Sequence, residues 1–170
     1  MPSSPPYRYV IALGSNRRGR HGGPADELRA ALAAVGGVIA VSPLIATAPL
    51  GPATRRFVNA AAVIASDEPP RALLARLKAI EAAFGRRPGQ RWRDRVIDLD
   101  ILLWSGGCWR DDRLTIPHPA FRARRFVLDP LLAVAPGWRD PVTGRTVRQL
   151  AARLTRRTGG PRPRDAGRGP

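Results

Sequence analysis

Arg91 to Trp104 reads RWRDRVIDLDILLW, and its second half decides the fold. From Val96 to Trp104 every residue is apolar except Asp98 and Asp100. Such a run of Val, Ile and Leu reads as a central strand buried on both faces. Alternation along a strand puts Asp98 and Asp100 on one side and Ile97, Leu99, Ile101 and Leu103 on the other. One side is then aliphatic and suited to lie under helices, while the other carries two carboxylates. Ionised groups removed from water need partners, and like charges this close repel. Two arrangements answer that demand. One is a pair of salt bridges, to Arg95 and to Arg91 or Arg93. The other is a divalent cation: hard Mg²⁺ takes carboxylate oxygens and keeps the rest of its shell for water and phosphate.

Immediately upstream, Gly85 to Asp94 reads as a loop dense in arginine. Arg86, Arg87, Arg91, Arg93 and Arg95 all lead into the Asp-bearing strand, more than two salt bridges require. Guanidinium forks match phosphate oxygens and offset charge that develops during phosphate chemistry. Carboxylates for metal beside arginines for phosphate form the pattern of phosphoryl transfer.

Further out, Tyr7 to Leu13 is a short strand pattern broken by Gly14-Ser15-Asn16, and Arg17 to Gly23 is a basic, Gly-rich loop. Pro24 to Val35 reads as a helix, with proline in the first turn, acids near the start and Leu28, Leu32 and Val35 on one face. Strand patterns follow over Val38 to Ala46 and Phe57 to Ala65, separated by a Pro/Gly loop, Ala48 to Arg56. Pro69 to Phe84 is a second helix with Leu73, Leu74, Leu77, Ile80 and Ala83 as its stripe. After the Asp-bearing strand come a short hairpin to Ile116 and two helices, Phe126 to Val134 and Val147 to Leu154. The order β-α-β-β-α-β predicts an α+β fold: a ferredoxin-like split β-α-β core with an antiparallel sheet, plus a short hairpin and C-terminal helices. Residues 1–158 are expected to form one domain, and residues 159–170, ending GGPRPRDAGRGP, a disordered basic tail.

The chain has 170 residues and a formal net charge of +16, nearly all of it arginine, since Lys78 is the only lysine. That charge suits a polyanionic partner or a solvated Arg-rich surface, and composition alone does not choose. Aromatics are only 6% of residues, which gives a nucleic-acid module little stacking surface. There is no apolar run of membrane-spanning length and no apolar segment behind a basic N-terminus, so a cytoplasmic protein is expected. The single cysteine, Cys108, excludes an internal disulfide.

Five segments, in order, are ALGSN (Ala12 to Asn16), TAPLGP (Thr47 to Pro52), FVNAA (Phe57 to Ala61), RWRDRVIDLDILL (Arg91 to Leu103) and LTIPHPAFRARRFVLDPL (Leu114 to Leu131). With these the chain resembles the 6-hydroxymethyl-7,8-dihydropterin pyrophosphokinases of folate biosynthesis, from about Tyr7 to Leu154. The resemblance implies transfer of pyrophosphate from ATP to the pterin hydroxymethyl oxygen, with release of AMP, by a monomer. It implies that Asp98 and Asp100 hold two Mg²⁺ ions, and that Arg86, Arg91, Arg95 and His118 act in catalysis. Thr47, Leu50, Phe57, Asn59, Trp92 and Phe126 would bind the pterin, with Phe57 and Phe126 stacking on its ring. Lys78, Glu81, Arg113, Thr115, His118 and Arg124 would face the nucleotide, although Lys78 and Glu81 also fit a solvated helical pair. The chain departs from the family where Arg93-Asp94 stands in place of its usual Gly-Pro, and Phe57 keeps the ring but not the hydroxyl of the expected tyrosine.

Overall fold

The computed structural model of the chain describes residues 7–49, 55–85 and 95–158. Leu50, Arg86, Arg91, Trp92 and the tail after Thr158, all singled out above, lie outside the described residues. The elements run β1 (Tyr7–Ser15), α1 (Pro24–Val35), β2 (Val38–Val41), β3 (Ile45–Thr47), β4 (Phe57–Ser66), α2 (Pro70–Ala83) and β5 (Asp98–Trp104). A hairpin of β6 (Trp109–Arg110) and β7 (Thr115–Ile116) follows, then α3 (Arg125–Val134) and α4 (Val147–Thr158). The sheet order is β2-β4-β1-β5, with β3 also on β4, and every neighbouring pair is antiparallel. This is the ferredoxin-like α+β arrangement that the element order predicted.

Alternation sorts the sheet's side chains into two cores. Tyr9, Ile11, Leu13, Ala60, Ala62, Ile64 and Leu99 pack under Leu28, Ala31 and Val35 of α1 and Leu73 and Leu77 of α2. Val10, Ala61 and Val63 point the opposite way, onto Leu128 and Leu131 of α3 and Val147 and Leu150 of α4. The C-terminal helices therefore cover the second face and make a three-layer molecule, as the unburied apolar side of the sheet requires.

Three local readings change. First, β1 continues through Gly14 to Ser15, because Gly14 pairs with Asn59 on one side and Asp98 on the other. A Cβ on Gly14 would sit 3.2 Å from Asn59 Oδ1, so the glycine admits a neighbouring side chain rather than ending the strand. Second, Val38 to Ala46 is two strands. Pro43 has no N–H for the ladder, and the Ser42 hydroxyl accepts the Ala61 N–H at 2.9 Å in the gap. Third, Leu103 does not share the face of Ile97, Leu99 and Ile101. Ile11 pairs with Ile101 but Val10 pairs with Leu103, so Leu102 is an extra residue that reverses the alternation. Leu102 and Leu103 both join the α3/α4 core, and Trp104 turns to the α1/α2 side.

Candidate functional site

The site is built across three strands on the α3/α4 side of the sheet. Gly14 stands in register between Asn59 of β4 and Asp98 of β5, and Ala12 between Ala61 and Asp100. The two middle positions carry little or no side chain, which leaves a low floor between an amide on one strand and carboxylates on the other. Phe57 lies over the same floor, its Cδ1 3.9 Å from where a Gly14 Cβ would be.

On the β4 side, Asn59 Nδ2 donates to Thr47 Oγ1 at 2.8 Å. Thr47 pairs with Phe57 across β3 and β4, so the ladder that fixes Phe57 also orients Asn59. The arrangement leaves the Asn59 oxygen directed at the Gly14 floor, where the amide can offer donor and acceptor groups to a flat heterocycle. Phe126, at the start of α3, is half-buried on the second core, and the Arg124 guanidinium stands 5.7 Å from its ring centre. Among the described residues no ring contact joins Phe57 to Phe126.

On the β5 side, Arg95 Nη1 meets Asp98 Oδ1 at 2.8 Å, with the two side chains 21% and 25% exposed. One of the salt bridges allowed by the sequence is thus made. Arg95 is held from behind by Asn16: its N–H donates to Asn16 Oδ1 at 2.7 Å, and the Asn16 N–H donates back to its carbonyl at 3.1 Å. Asn16 is buried, and this clasp ties the end of β1 to the entry of β5. Sequence reading placed Asn16 only in a turn. A short amide directly after a strand-end glycine was the available signal, since Asn readily bonds nearby backbone.

Asp98 and Asp100 present hard oxygen donors on one half-exposed face. Among the described residues no group of three or more His, Cys, Asp or Glu gathers as a closed metal site. An open carboxylate pair fits a hard cation that completes its shell with water and phosphate, and does not suit a structural metal.

His118 lies along the outer edge of β5, where its N–H donates to the Leu102 carbonyl at 3.0 Å. Its Nδ1 accepts the Ala120 N–H at 3.1 Å, which fixes the neutral tautomer with the proton on Nε2. Burial, then the nearby Arg124, holds its pKa below the ordinary imidazole range, against the pull of Asp98. Lys78 adds to the downward shift, so His118, Arg124, Lys78 and Asp98 form one electrostatic neighbourhood.

Glu81 is only 1% exposed, and its carboxylate accepts the Leu99 N–H at 2.7 Å. Lys78 Nζ reaches Glu81 at 3.0 Å and the Leu99 carbonyl at 3.3 Å. This pair on α2 therefore caps the open edge of β5, a structural duty that the helical spacing did not reveal. Burial raises the Glu81 pKa against the opposing pull of Lys78 and the Leu99 N–H. Thr115 pairs with Arg110 in the hairpin, and Arg113 at its turn is largely exposed beside Asp112. The structure brings together Thr47, Phe57, Asn59, Asp98, Asp100, Arg95 and His118 around one end of the sheet, with Arg113 set apart toward solvent.

Residues 10–136 match the family described as 7,8-dihydro-6-hydroxymethylpterin-pyrophosphokinase (HPPK). The chain belongs to the HPPK family. A 2-amino-4-hydroxy-6-hydroxymethyldihydropteridine pyrophosphokinase of Pseudomonas aeruginosa is 42% identical over 151 residues, which are 85% of this chain and 90% of the relative. Its counterpart in Synechocystis is 35% identical over 147 residues, 83% of this chain and 73% of the relative. The fold also matches the crystal structure of wild-type Plasmodium falciparum HPPK-DHPS with a TM-score of 0.69 at 16% identity, over 89% of this chain and 41% of that one. The chain thus spans less than half of that HPPK-DHPS chain, and the likeness speaks for the fold. The HPPK match begins in β1 and runs just past α3, so it contains the Gly14 floor, both carboxylates and His118.

Proposed function

We propose that the chain transfers the pyrophosphoryl group of ATP to the hydroxymethyl oxygen of 6-hydroxymethyl-7,8-dihydropterin, with release of AMP, as a step of folate biosynthesis. Family membership supports the reaction class. The observation that carries it to these residues is the register of Asn59, Gly14 and Asp98 across one face. A heterocycle recognised by Asn59 at one end of that row would hold its substituent toward the carboxylates at the other.

Thr47, Leu50, Phe57, Asn59, Trp92 and Phe126 are the proposed pterin set. Arg113, Thr115, Arg124 and His118 are the proposed nucleotide set, with Lys78 nearby and Glu81 acting through β5. Asp98 and Asp100 would hold two Mg²⁺ ions, which would supply positive charge to neutralise the ATP phosphates. Arg95, with Arg86 and Arg91, would balance charge on the transferring group. His118 carries its proton on Nε2, where it can donate to a phosphate oxygen without adding a full charge. The transfer breaks the bond from the β-phosphorus to the oxygen that leaves with AMP and forms a bond from that phosphorus to the hydroxymethyl oxygen, which gives up its proton to solvent. Positioning, more than a strong protein base, is what such a transfer requires.

Activity as a monomer in the cytoplasm, from one domain over residues 1–158, belongs to the same proposal. No helix among the described residues is long and apolar enough to cross a membrane. The test is AMP release from ATP and Mg²⁺ with and without the pterin. Pterin-dependent AMP is expected; AMP formed at the same rate without pterin, or none at all, would overturn the assignment.

A further inference from the structure

Glu27 is a fully buried carboxylate in the first turn of α1, at 0% exposure, outside the site just described. A buried charge is costly unless its bonds are made, and an apolar residue would serve the helix more cheaply. Its bonds go to the connection between β1 and α1. Oε1 accepts the His21 N–H at 2.7 Å, and Oε2 meets His21 Nδ1 at 2.8 Å. The connection is also closed on itself by paired backbone bonds between Gly19 and Gly22.

Held this way, the connection touches both places where the chain leaves α2 and enters β5. The His21 ring lies 4.7 Å from the ring of Phe84, which ends α2, and the Arg20 guanidinium stands 5.8 Å from the same ring. On the other side Gly19 is pressed against Val96: a Cβ there would be 2.6 Å from Val96 Cγ1 and 2.5 Å from Glu27 Oε1. Only glycine fits between them. Val96 adjoins Arg95, which the first residue of the connection, Asn16, holds by two bonds.

We propose that Glu27 and His21 are positioning residues for pyrophosphoryl transfer, a latch that fixes the Gly19–Val96 contact and thereby sets Arg95 against Asp98. The proposal rests on the reaction assigned above. Glu27 acts through His21 and Gly19, and neither residue is required to touch substrate.

The experiment compares the full chain with His21→Ala, Glu27→Leu and Glu27→Gln, reading kcat, KM for each substrate, melting temperature and hydrogen exchange of the Arg95 amide. His21→Ala and Glu27→Leu should lower kcat by about 10–100-fold, the usual range for supports of a functional group. The KM for pterin should hold, because Asn59 of β4 lies across Gly14 from Asp98 and is oriented by Thr47 of β3. The Arg95 amide should lose protection in both variants. Glu27→Gln keeps an acceptor for the His21 N–H and should restore most of the kcat. Unchanged kcat and unchanged Arg95 protection would overturn the latch, as would losses that follow melting temperature alone and raise both KM values equally. A wild-type chain without pterin-dependent AMP release would sink the reaction instead, and Arg95 exchange in the variants would still decide the latch.

Discussion

Two arginine–aspartate pairs of the same chemistry have opposite settings. Arg122 grips Asp140 with two nitrogens, each at 2.6 Å, and the Asp140 side chain is 0% exposed. Thr143 Oγ1 at 2.6 Å and the Val142 N–H at 3.1 Å also donate to it. Protein donors fill that carboxylate, and it closes the turn leading into α4. Arg95 meets Asp98 at 2.8 Å on a carboxylate still 25% exposed, beside the carboxylate of Asp100 and the low Gly14 floor. The first pair is built to stay as it is. The second leaves room for a cation and phosphate to take over its charges, so burial and not the pairing itself separates scaffold from site.

That contrast predicts opposite consequences for the two aspartates. Asp98→Ala should lower pterin-dependent AMP release by about a thousandfold, ~4 kcal/mol of transition-state stabilisation. Its stability should change by only about 1 kcal/mol or less, as for a partly exposed pair. Urea unfolding and steady-state kinetics on one preparation would check both.

Asp140→Ala should reverse the pattern, costing about 3–5 kcal/mol of stability because Arg122 is left unpaired. Any remaining folded enzyme should turn over nearly normally. Burial alone would raise the Asp140 pKa, but bonds from Arg122, Thr143 and Val142 overcome it and hold the carboxyl down at about 2. The folded-state value lies below the unfolded one, so this stabilisation is complete above the ordinary value of 3.8 and is lost as pH falls through about 2. Denaturation profiles between those limits should show a slope in the wild type that the variant lacks.

Asn16→Ala lies between the two classes. It removes the acceptor of the part-buried Arg95 N–H, so a stability loss of about 1–2 kcal/mol should come with a fall in kcat. If kcat is untouched, the clasp is scaffold only. Thr47→Val should have the smallest effect. It deletes the partner of Asn59 Nδ2, and the KM for pterin should rise by about tenfold or less while the KM for ATP stays level.

How far the sequence spoke depended on how local the cause was. α1 was legible to the residue, because Pro24, the early acids and the spacing of Leu28, Leu32 and Val35 all lie within the helix. The carboxylates of β5 were legible because charge inside an apolar run is conspicuous anywhere. Gly14 was misread as a breaker because its reason, the Asn59 side chain, arrives from another strand. The extra residue at Leu102 was invisible, since only pairing with β1 reveals it. Glu81 and Asn16 spend their side chains on the backbone of β5 and its entry, and no motif spacing encodes such partners.

The claim that most needs a direct test is that Asp98 belongs to a site and not to the scaffold. Calorimetric binding of a non-hydrolysable ATP analogue, with and without Mg²⁺, to wild type and to Asp98→Asn would test it. The account predicts Mg²⁺-dependent binding in the wild type that is lost in Asp98→Asn, with the melting temperature of the variant kept. Equal Mg²⁺-dependent binding in both proteins, or a melting loss as large as that of Asp140→Ala, would contradict it.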